Sequence, residues 1–168
     1  MYRHTLDAHH IQQWRNHGYT LVHDMLDVGA AQTELFEYTH RQGTTVHDFG
    51  NDCQFEFPSG YPALDAIPLH PTLLQAASDL LNCSHVLLHQ AVAWTKHGDD
   101  PGTSDESSNS DQRLHQDFGN NAWVTPPPWD TPDAVAAIVY YSNVRDTGGA
   151  TALVPRDRKS TRLNSSHT

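Results

Sequence analysis

Ala134-Val-Ala-Ala-Ile-Val-Tyr-Tyr-Ser142 and Ala150-Thr-Ala-Leu-Val154, separated by a run ending in Asp146-Thr-Gly-Gly149, form the stretch that decides the fold class. Two apolar, β-rich runs around a glycine pair spell a strand, a tight turn and a last strand. Moving outward, His85-Val-Leu-Leu-His-Gln-Ala-Val-Ala-Trp-Thr-Lys96 reads as a core strand. Arg113-Leu-His-Gln-Asp-Phe-Gly-Asn-Asn-Ala-Trp-Val124 reads as another, before the Pro126-Pro-Pro128 interruption. The N-terminal part is helical in pattern. Thr5 is the expected N-cap of a helix carrying Leu6, His10/Ile11 and Trp14 on one face and stopped at Gly18. A short strand is expected at 19–22. A second helix runs from Asp27 to about Arg41, and Gly43 follows it. Residues 44–69 are irregular and aromatic, with Phe49, Phe55, Phe57 and Tyr61 expected to pack over the core rather than to line a substrate pocket, the alternative reading. Pro68-Leu-His-Pro71 leads into a third helix, Thr72 to Leu81, closed by Asn82. Helices first and turn-linked strands afterwards point to a mainly-β, α+β fold, an antiparallel sandwich or barrel with helices outside.

At 168 residues the chain is one domain's worth and long enough for a core. Its 20 acidic against 10 basic residues, a formal net charge of -10, speak against a nucleic-acid groove or an anionic membrane surface, since both need a basic face. No apolar run approaches a membrane span, and Met1 to Asp7 has no apolar leader, so a soluble, cytoplasmic protein is expected. In that compartment Cys53 and Cys83 are expected to be free thiols.

Chemistry concentrates at His115-Gln116-Asp117. Two positions apart on a strand, an imidazole and a carboxylate leave the backbone on the same face, and Gln116 points to the other. Neutral nitrogen plus carboxylate oxygen suits a borderline divalent metal, and two-His-one-carboxylate sites with open positions are the usual Fe(II) oxygenase arrangement. With 13 His in the chain and its many Asp, roughly one His-x-Asp is expected by chance, so context has to carry the reading. The second one, His97-Gly98-Asp99, opens a Gly/Pro/Ser-rich loop that gives it no fixed geometry.

The context is a set of ordered pieces. They are Ile11-x-x-Trp14-x-x-x-Gly18-Tyr19, the His70-Pro71 helix ending in Leu80-Leu81, the Gln90 to Lys96 run, the His115 triplet with Trp123 downstream, and Asp146-Thr-Gly-Gly-Ala-Thr-Ala-Leu-Val-Pro155. From Thr5 to Pro155 the chain thereby resembles the phytanoyl-CoA dioxygenase family of Fe(II)/2-oxoglutarate-dependent oxygenases. The resemblance implies a double-stranded β-helix, or jelly roll. It also implies an enzyme that hydroxylates a small organic substrate with O2, while 2-oxoglutarate is converted to succinate and CO2. It places His115 and Asp117 at the metal-ligand positions, and Lys96 and Gln90 where side chains help to hold the cosubstrate. Relatives that halogenate have a small residue at the position of Asp117, so its carboxylate favours hydroxylation.

Two ligands do not complete a facial triad. After Asp117 the only histidine is His167, inside Asp157-Arg-Lys-Ser-Thr-Arg-Leu-Asn-Ser-Ser-His167, which reads codon by codon as a translated sequencing-library adapter. Residues 157–168 are therefore expected to be a non-native tail, and 1–156 the N-terminal and central part of a jelly roll incomplete at its C-terminus. On this reading the intact parent is an oxygenase and the 168-residue chain turns over little or nothing. Two rivals stand beside it: a non-catalytic jelly-roll binding module, and a cupin-like metalloprotein without 2-oxoglutarate. Cupins typically take more histidines than this strand offers.

Overall fold

The computed structural model describes residues 6–41, 55–95, 134–147 and 150–155. In chain order these form α1 (Ala8–His17), α2 (Gly29–Arg41), β1 (Phe55–Glu56), α3 (Pro62–Ala66), α4 (Pro71–Leu81), β2 (Val92–Ala93) and α5 (Val144–Thr147).

Helix α1 begins two residues later than Thr5 would set it. Asp7 is the N-cap: its carboxylate accepts the His10 N–H at 2.9 Å, and the His10 ring closes the capping box. The end is as the sequence implies. Gly18 sits at φ 81, a conformation that costs glycine little, and donates its N–H to the Trp14 carbonyl at 2.7 Å. Residues 19–22 form no strand; with no pairing partner among the described residues, their alternation remains coil.

Helix α2 buries Ala31, Leu35 and Thr39, four residues apart and so on one stripe. The buried Thr39 hydroxyl donates to the carbonyls of Leu35 and Phe36, which removes the cost of burying it. Against this stripe packs α3, a helix that the irregular reading of 44–69 did not anticipate. Its first free amides, from Ala63 and Leu64, both donate to Oε2 of Glu34 on α2, at 2.8 and 3.0 Å. A helix this short lacks the cooperativity to stand alone, and a carboxylate 29 residues upstream supplies its cap.

The entry to α3 is held by Asp65. One of its oxygens accepts from the Ser59 N–H and hydroxyl, both at 2.8 Å, and the other from the Gly60 N–H at 3.1 Å. Burial alone would raise the Asp65 carboxyl, but these donors outweigh it and hold the group below its usual 3.8. A carboxylate depressed in the folded state stabilises above its unfolded value, and that contribution disappears as pH falls through the folded value. We expect Asp65→Asn to lower the melting temperature at pH 7, because an amide nitrogen then faces a donor. The gap to wild type should close as pH falls through the depressed folded-state value, in thermal melts followed across pH.

Helix α4 is bounded at both ends by local signals. The His70 ring nitrogen accepts the Thr72 N–H at 3.2 Å, Pro71 occupies the first turn, and Asn82 takes the left-handed position at φ 52. The N–H groups of Asn82 and Cys83 both donate to the Ser78 carbonyl. Ala76 is its buried residue; Leu73, Leu74, Leu80 and Leu81 are half-buried against their surroundings.

The core joins Ala31, Leu35, Leu64, Ile67 and Ala93, with Leu26, Val28, Tyr61, Ala63, Val139 and Tyr141 packed around it. Tyr61 meets Tyr38 edge to face at 5.7 Å, so the aromatic reading of that residue as core packing holds.

The expected mainly-β jelly roll is corrected by this architecture. Among the described residues, sheet is confined to an antiparallel pair of two-residue strands, Phe55 opposite Ala93 and Glu56 opposite Val92, extended by Phe57 N–H to Ala91 O. Helices make up most of the regular structure. Residues 85–91 are coil, with Leu87 95% exposed, so the expected core strand from His85 shrinks to Val92–Ala93. In 134–142 the alternation survives without a ladder: Val139 and Tyr141 pack on the core while Ile138 and Tyr140 face outward. The glycines of the expected Asp146-Thr-Gly-Gly149 turn lie outside the described residues; just before them Asn143 caps the single helical turn α5. Its carbonyl accepts the N–H groups of Asp146 and Thr147, and its side-chain oxygen accepts that of Arg145. Residues 150–155 are tied back by side chains, Tyr140 Oη donating to Thr151 Oγ1 at 2.6 Å and accepting the Thr151 N–H at 2.9 Å. The physical reason is that β-branched and apolar residues favour an extended backbone, whereas a sheet also needs a partner for each N–H and C=O. The binding-module and cupin-like rivals assumed the same jelly roll and lose that support with it.

Candidate functional site

The residues expected to carry chemistry lie mostly outside the described residues. This holds for the expected metal ligands His115 and Asp117, for their neighbour Gln116, for Trp123, and for Lys96. Gln90 is described, exposed in coil two residues before β2 rather than on an apolar core strand. Among the described residues no three His, Cys, Asp or Glu side chains come together in a group able to hold a metal ion.

The described acidic groups with the best geometry are already engaged. Asp7, Asp27, Glu34 and Asp65 each accept backbone N–H groups at a helix start or turn. Asp7 is held below its usual 3.8, first by the His10 backbone N–H and then by the nearby His10 ring. These carboxylates position backbone. Sequence reading missed their roles for different reasons: Asp7 and His10 show capping-box spacing with a histidine in place of Glu or Gln, whereas Glu34 leaves no local signal.

The other polar groups divide between surface and core margin. His9, His17, His23, His85 and His89 are exposed, in keeping with surface histidines, while His10 and His70 serve as capping partners. Burial raises the Tyr141 hydroxyl above its usual value of 10.0, so it remains a neutral hydrogen-bonding group at pH 7. Cys83 is a free, exposed thiol just past the αL cap of α4. Between α1 and the C-terminal end of α4 runs an open groove of about 680 Å³ lined by Ile11, Arg15, Gln75, Ser78, Asp79 and Cys83, among others. Gln75 donates to Asp79 across one helical turn at 2.8 Å.

Among the described residues no helix is long and apolar enough to cross a membrane. Compared with protein-family models, curated proteins and solved structures, the chain matches none.

Proposed function

We propose that this chain carries the proximal part of an Fe(II)/2-oxoglutarate-dependent oxygenase site acting on a small organic substrate, with His115 and Asp117 as metal ligands and Lys96 and Gln90 toward the cosubstrate. The observation that carries the reading is the His115-Gln116-Asp117 triplet within its ordered sequence context, from Ile11 and Trp14 through His70-Pro71 to Asp146–Pro155. It rests on donor chemistry and motif order, and no longer on the jelly roll expected with them.

The donor types suit ferrous iron, but the donor set is incomplete. A neutral imidazole and a carboxylate are two of three protein ligands, and His167 in the adapter-like run is not counted as the third. When bound, the metal would supply Lewis acidity and O2 activation. The chain's own share is to supply the imidazole of His115 and the carboxylate of Asp117, two positions apart in sequence. Lys96, a cation, is suited to a carboxylate of the cosubstrate, and Gln90 to a neutral hydrogen bond. The same reading places the protein in the cytoplasm, a reducing compartment in which the free thiol of Cys83 persists.

The incomplete donor set favours one second reading, a non-catalytic module in which His115 and Asp117 hold an ion. The test is succinate release from 2-oxoglutarate by the purified chain with Fe(II), ascorbate and O2. The expected result is little or no turnover above free iron. Brisk, iron-dependent succinate formation would overturn the incomplete-site account and exclude the non-catalytic reading.

A further inference from the structure

We draw no further inference here: the strongest candidate, the open groove between α1 and the C-terminal end of α4, carries nothing, because its charged side chains Arg15 and Asp79 are not buried and nothing in the structure shows what would occupy it.

Discussion

Replacing Leu64 by alanine is expected to destabilise the protein by about 3 kcal/mol, within the range of about 2–5 kcal/mol for such core truncations. Leu64 is 2% exposed and belongs to the cluster with Ala31 and Leu35 of α2, Ile67 after α3, and Ala93 of β2. Truncation removes apolar contact area and leaves a void that a five-residue helix fixed at its start cannot shift far to fill. Domains of this size are stable by only about 5–15 kcal/mol, so the loss should appear as a large drop in the urea midpoint. The control is Leu87→Ala. Leu87 is 95% exposed, and its truncation should fall within about 0.5 kcal/mol of wild type. Equal losses at the two positions would mean that the core lies elsewhere.

Glu34→Ala is expected to cost about 2 kcal/mol, the second-largest effect on stability. The Glu34 carboxylate oxygen that receives both Ala63 and Leu64 N–H groups satisfies two orphan donors at once, and it places negative charge at a helix start. Alanine leaves both amides without that partner and loosens the α2–α3 contact on which the core is built. Glu34→Gln keeps an acceptor oxygen and loses the charge, so it should fall between wild type and alanine. Amide hydrogen exchange separates this from a general surface effect: protection should drop first at Ala63 and Leu64. If exchange there is unchanged in Glu34→Ala while global stability falls, the cap is not what Glu34 contributes.

These two residues also mark where sequence reading reaches and where it stops. Helix α4 could be read almost to the residue because its signals are adjacent in the chain: Pro68-Leu-His-Pro71 at the start and Asn82 at the end. Gly18 ends α1 in the same way. Helix α3 was not, because its cap comes from Glu34, far upstream. The strands were over-read for the complementary reason. Val92–Ala93 and Val139–Tyr141 have the composition and alternation of strands, but only the first meets a partner, Phe55–Glu56, among the described residues. Of the candidate site, Gln90 is placed on the surface, and His115, Asp117 and Lys96 stand on their residue types and order alone.

The central claim is that one imidazole and one carboxylate of this chain share a ferrous ion, and anaerobic Fe(II) binding tests it most directly. Titration of the 168-residue chain should reveal one weak site. Because loss of even an outer-shell partner typically costs about 10–100-fold in metal affinity, His115→Ala and Asp117→Ala should each weaken binding at least about tenfold. His97→Ala, at the other His-x-Asp, should leave it unchanged. Binding by both single variants that matches wild type, or no uptake by the wild-type chain at all, would contradict the assignment.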